Sequence, residues 1–126
     1  MGWRTQQSFA SSLETPAEGR AFLLEALSAR LADSSAVSGD AELMVSELLT
    51  NSVKAGARTV TVTLESDDTV LRLEVSDDGG GAPTLRRPTD QDTGGRGLLI
   101  VAALAERWDV EVRPGERTTV WAELTL

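Results

Sequence analysis

Histidine is absent from this 126-residue chain, and so is cysteine. Without histidine there can be no Ser-His-Asp triad, no imidazole metal ligand and no phosphohistidine relay inside the chain. Without cysteine there are no disulfides, thiolate zinc sites or thiol nucleophiles, a composition that suits a reducing compartment. Long apolar runs are missing too: the longest, Leu98 to Ala105, falls far short of a membrane span. The opening MGWRTQQSF has no apolar stretch of the signal-peptide kind, so a cytoplasmic location without membrane association is expected. Basic residues are scarce, 12 Lys and Arg against 20 Asp and Glu. The net charge of -8 argues against direct nucleic-acid binding, which needs clustered cations to replace phosphate counterions. An anionic ligand would have to be held by local devices against the overall field.

What is present is enough to fold. Hydrophobic residues make up 40% and charged residues 25%, and the length suits one domain spanning 1–126. In TPAEGRAFLLEALSARLAD, Thr15 can cap, Pro16 suits the first turn and Glu18 completes a capping box, predicting a helix over about 16–32. A short edge strand around Ser8 to Ala10 is expected before it. A second helix is predicted from Ser38–Asp40 to about Ala55, with Ala41, Met44, Val45, Leu48 and Ser52 on its inward stripe. TVTVTLE and TVLRLEVS alternate with period two around an SDD turn and predict a hairpin. The stretch from Ala82 to Thr93 reads as a loop of the length often used as a lid. LLIVAALAERW then predicts a buried helix, and WDVEVR and TTVWAELTL two closing strands. This order favours an α/β (α+β) two-layer sandwich: a mixed, mostly antiparallel sheet covered on one face by about three helices.

Three segments could carry chemistry. Glu47, Asn51 and Lys54 share a helical stripe about 60–120° from Leu48, at the margin of the apolar face. Taken alone, that stripe also reads as a solvated polar face. SDDGGGAP places Asp77 where a strand ends, with Gly79 and Gly81 following as D-x-G-x-G. This suits either a plain turn or a carboxylate beside a glycine-walled pocket that a ligand can approach closely. Asp78 and Gly80 read as spacers. TGGRGLLIV sets glycines at the start of a helix, which suits a hinge or a phosphate cradle of outward-pointing amides. Neither a Walker-type G-x-x-x-x-G-K-[ST] nor a complete dinucleotide fingerprint occurs.

In order and spacing, SELLTNSVKAGA, VSDDGGG, GGRGLLIV and RTTVW resemble the N-box, the two glycine boxes and the closing strand of the Bergerat ATP-binding fold shared by gyrase, MutL and histidine kinases. The wording is most similar to the small anti-sigma regulatory factors with serine/threonine kinase activity, of the stand-alone actinobacterial type. The resemblance runs from the first helix to the end of the chain. It implies that Asp77 reads the adenine amino group with help from Thr119, and that Gly79 and Gly81 shape the adenine pocket. It further implies that Asn51 holds Mg²⁺, and that Lys54 and the amides of Gly95, Arg96, Gly97 and Leu98 hold the phosphates of ATP. Glu47 would be the general base, and 82–94 the ATP lid. One departure is Ala55, where family N-boxes often carry a histidine or an aromatic residue.

The function implied is an ATP- and magnesium-dependent anti-sigma factor. It would sequester a sigma factor and phosphorylate a serine or threonine of a STAS-domain antagonist, and a homodimer is among the assemblies the resemblance implies. The alternative is a module that keeps the ATP pocket and acts by sequestration without kinase activity.

Overall fold

The computed structural model describes residues 2–31, 33–78, 94–113 and 115–126. Its elements run β1 (Trp3–Ala10), α1 (Thr15–Arg30), α2 (Ser35–Lys54), β2 (Thr59–Ser66), β3 (Val70–Asp77), α3 (Gly94–Leu104), β4 (Arg107–Arg113) and β5 (Arg117–Thr125). The strands form one five-stranded sheet in the order β1-β2-β3-β5-β4. Every neighbouring pair is antiparallel, so the expected mixed sheet is antiparallel throughout. The three helices complete the expected two-layer sandwich.

Period-two alternation decides which face they cover. Val60, Val62 and Leu64 of β2 and Leu71, Leu73 and Val75 of β3 are buried with Leu23, Leu27, Met44, Val45 and Leu49 of the helices. Each such side chain contributes about 1.5–3 kcal/mol relative to exposure. Helix α2 lies over the middle of the sheet, in contact with β2, β3 and β5. Gly19 of α1 faces Leu49 so closely that an added Cβ would overlap the Leu49 tip, which lets the two helices approach.

The opposite face is polar. A single row crosses all five strands as Arg4, Glu65, Arg72, Glu123 and Arg107, each paired in register with the next. Ion pairs run along it from Arg4 to Glu65 at 3.9 Å, and from Arg72 and Arg107 to Glu123 at 3.4 and 3.5 Å. The Arg72 guanidinium also lies 4.1 Å from the centre of the Trp121 ring. Such alternation keeps an uncovered sheet face wet, because burying the row would strip water from five charges.

Three local expectations are corrected. Strand β1 is eight residues long rather than a stub at Ser8–Ala10. Its polar TQQS centre hides the alternation, while pairing with β2 and an edge-to-face contact between Phe9 and Phe22 at 6.3 Å secure it. Thr15 lies inside α1 rather than capping it: its hydroxyl donates to the Ala10 carbonyl at 3.1 Å and accepts from the Ser12 amide at 2.8 Å, tying the β1–α1 loop. Helix α2 starts at Ser35, where Asp33 accepts from the Ser35 amide and hydroxyl at 3.1 and 2.7 Å. It stops at Lys54, and Gly56 turns the chain with φ +87. No helix among the described residues is long and apolar enough to cross a membrane.

Candidate functional site

Asp77 ends β3 on the helix-facing side, continuing the Leu71, Leu73, Val75 alternation, and is 7% exposed. A carboxylate on the core face needs donors, and α2 supplies one: the Ser52 hydroxyl donates to Asp77 Oδ2 at 2.5 Å. Ser52 is itself buried on the inward stripe of α2. Its chain neighbour Asn51 is half-buried, as is Glu47 one turn earlier, while Lys54 in the last turn is exposed. The margin of the apolar face expected from helical geometry is therefore where Glu47 and Asn51 lie.

The start of α3 meets that margin. A Cβ built on Gly97 would overlap the Asn51 side-chain amide and stand 3.4 Å from the Glu47 carbonyl oxygen. Only glycine allows this approach, and it sets the first turn of α3 against the Glu47–Asn51 stripe. Gly95 and Arg96 belong to the same turn, and Leu98, the fifth residue of α3, follows with its side chain buried. Amides in the first turn of a helix lack intrahelical acceptors and carry partial positive charge, so this turn can hold an anion.

One long helix thus links two dissimilar features. On one side is a buried carboxylate able to accept from an amine; on the other is a helix start able to receive phosphate. A shallow groove of about 640 Å³ at the far end of the sheet, lined by Trp3, Arg4, Arg72 and Arg107, is a poorer candidate for an anion. Its Arg4, Arg72 and Arg107 are already matched by Glu65 and Glu123.

The family model for the histidine kinase-like ATPase domain matches residues 9–124. The chain belongs to this family. A search of curated proteins returns no match. ATP is accordingly the ligand that the family supports.

Within this ATPase domain the two strands flanking Asp77 need one correction. Thr119 pairs with Ser76, and their hydroxyls are 3.0 Å apart on the face away from the helices. The residue opposite Asp77 is Thr118. Thr119 is one residue out of phase to assist Asp77, because successive side chains of a strand point to opposite faces. Thr118 has the right phase, in step with buried Val120, Ala122 and Leu124, and the pairing register sets it opposite Asp77.

Asp78 is not the spacer that the sequence suggests. Its Oδ1 accepts from the amides of Arg58 and Thr59 at 2.8 and 3.0 Å, fastening the end of β3 to the start of β2. The amide of Thr59, then that of Arg58, holds the Asp78 carboxyl below the ordinary 3.8. Ser52 and Asp78 are the residues that sequence reasoning passed over. A serine at a core position of an amphipathic helix was the available signal for the first; for the second there was none, since its partners are backbone groups 19 and 20 residues away. The expected Gly79 and Gly81 lie outside the described residues, as does the lid expected over 82–94 except for Gly94, which begins α3.

Proposed function

We propose that this ATPase domain is a magnesium-ATP-dependent anti-sigma factor that holds a sigma factor and phosphorylates a serine or threonine of a STAS-domain antagonist. The observation that carries the ATP part is the junction at Asn51 and Ser52: one residue meets the start of α3 through Gly97, and the next bonds Asp77. Asp77 accepts the adenine 6-amino group, with Thr118 beside it. The first turn of α3 and Lys54 meet the phosphates, and Asn51 offers an amide oxygen to Mg²⁺. Magnesium keeps several waters and binds phosphate oxygens, so one or two protein oxygens are an adequate share.

Glu47 is one helical turn from Asn51 on the same stripe and serves as the general base. It takes the proton of the acceptor hydroxyl while that oxygen bonds the γ-phosphorus. The bond from the γ-phosphorus to the β–γ bridging oxygen breaks, and ADP leaves. Phosphoryl transfer asks a protein mainly to position and neutralise, which a carboxylate, an amide-lined helix start and a magnesium ion can do without histidine. The acceptor gains about -1.5 to -2 of charge, enough to break an interface with a protein of net charge -8.

The reading is tested by calorimetry with Mg-ATP, followed by incubation with labelled Mg-ATP and STAS-domain proteins. Saturable ATP binding and label on a serine or threonine are expected. Asp77→Asn should weaken ATP binding by roughly 10- to 150-fold, the worth of a hydrogen bond to a charged group. ATP binding without label on any antagonist would leave sequestration without kinase activity as the function; no binding would remove the ATP reading.

A further inference from the structure

Asp77 and Asp78 adjoin in sequence but are held by different partners, and together their bonds close a circuit. Ser52 grips Asp77 from α2. Beyond Ser52 the helix ends, the Ala57 amide bonds back to the Ser52 carbonyl at 3.1 Å, and the chain turns at Gly56 into β2. There Arg58 and Thr59 donate their amides to Asp78, and the Asp78 amide returns toward the Thr59 carbonyl at 3.4 Å. Val60, the next residue, is the register partner of Asp77. Helix end, turn, strand start and strand end are therefore fastened to one another around the Asp77 side chain.

From this circuit we propose that Asp78 is a positioning residue for nucleotide-base recognition. Its two backbone bonds fix the orientation in which Asp77 presents its carboxylate to the ligand. The inference rests on the reading of Asp77 as the adenine contact and adds a role for its neighbour. Ser52 fixes one oxygen of Asp77, but it can fix the direction of the carboxylate only if the β3 terminus does not move relative to α2. At that terminus the regular pairing of β3 with β2 ends at Asp77 and the Asp78 amide bond to Thr59 is long, and Asp78 reinforces it with two side-chain-to-backbone bonds. Asp78 is exposed and acts through its acceptor oxygen, so the position of that oxygen under the Arg58 and Thr59 amides is what orients the strand end.

The geometry separates three substitutions. Asp78→Ala removes the acceptor. Asp78→Asn keeps an Oδ1 in the same place and removes the charge. Asp78→Glu keeps the charge and displaces the acceptor by one methylene. Dissociation constants for ATP and ITP are measured for each by calorimetry, with melting temperature recorded beside them. ITP carries a carbonyl where ATP has its 6-amino group, so the ratio of the two constants reports how well Asp77 is aimed.

In the wild type ATP should bind well ahead of ITP. Asp78→Ala and Asp78→Glu should lose roughly fivefold to tenfold in ATP affinity with little change for ITP, and Asp78→Asn should restore the wild-type ratio. A purely structural role would lower ATP and ITP affinity together and leave the ratio alone, which would overturn the proposal. So would Asp78→Glu matching the wild type while Asp78→Asn does not. Should Asp78→Ala fail to fold, the Asn and Glu variants still decide the matter. Failure of the wild type to bind ATP would remove the ATP reading and this proposal together, whereas wild-type binding with unchanged variants removes this proposal alone.

Discussion

Gly97, in the first turn of α3, stands so close to Asn51 of α2 that any Cβ there would overlap the Asn51 side-chain amide. The atom that would have to yield is the tip of the Asn51 side chain, proposed above as a magnesium contact, not the backbone of the core. Gly97→Ala should therefore act on the site more than on the fold. Mg-ATP affinity is expected to fall by roughly tenfold or more, as for a lost hydrogen bond to a charged group, with only a few degrees lost in melting temperature. Calorimetry and a thermal melt on one preparation check both halves; a large fall in melting temperature with normal affinity would contradict the assignment.

Gly19 offers the contrasting case, since its neighbour is the fully buried tip of Leu49. Alanine in a helix interior ordinarily gains up to about 1 kcal/mol over glycine. Here the added methyl must push Leu49 into a filled core, at a cost of about 1–3 kcal/mol. Gly19→Ala should therefore lower stability by roughly 1 kcal/mol in denaturant unfolding, and leave ATP affinity unchanged once folded.

Glu47 is assigned to proton transfer and not to binding. Glu47→Gln keeps the shape and one acceptor oxygen while removing the base. Phosphorylation of the antagonist should fall by roughly 10² to 10⁴ fold, with Mg-ATP affinity within about twofold of wild type. Full transfer by the variant in the labelling assay would place the base elsewhere.

Acid sensitivity should trace to the turn carboxylates. Asp67 accepts from the amides of Thr69 and Val70 at 2.7 and 2.8 Å and from the Thr69 hydroxyl at 2.9 Å, and these bonds, the Thr69 amide foremost, hold its carboxyl below the ordinary 3.8. Asp33 is lowered in the same direction by the Ser35 hydroxyl and then its amide. In each case the unfolded chain takes up the proton first. The stabilisation is therefore complete above the unfolded value and is lost as pH falls through the lower folded value. The melting-temperature difference between wild type and Asp67→Ala should be at its full size near neutral pH and shrink below about pH 4. A difference that stays constant down to strong acid would show that these bonds do not depend on ionisation.

Much of this fold was legible in the sequence because local patterns report burial directly. TVTVTLE and TVLRLEVS become β2 and β3 because alternation is a property of each strand, readable without its neighbours. The inward stripe Ala41, Met44, Val45, Leu48 and Ser52 is buried in α2 for the same reason, and helical geometry alone puts Glu47 and Asn51 at the edge of that core. Strand β1 was legible only in part. An edge strand with a polar centre gains its structure from pairing, and pairing is not a local signal.

The residues themselves settled several things about this protein. With no histidine or cysteine, whole classes of chemistry were excluded, no described helix is long and apolar enough to cross a membrane, and the ordered glycine and acidic segments marked where a nucleotide could enter. Register and long-range bonding were left to the tertiary structure. Thr118 stands opposite Asp77, and Thr119 does not, because β3 and β5 pair in one register out of several that the sequence permits. Ser52 reaches Asp77 across 25 residues, and Asp78 reaches backbone amides 19 and 20 residues away. A hydrogen bond of that kind depends on distances set by the packing of α2 on the sheet, so it exists only once the whole chain has folded.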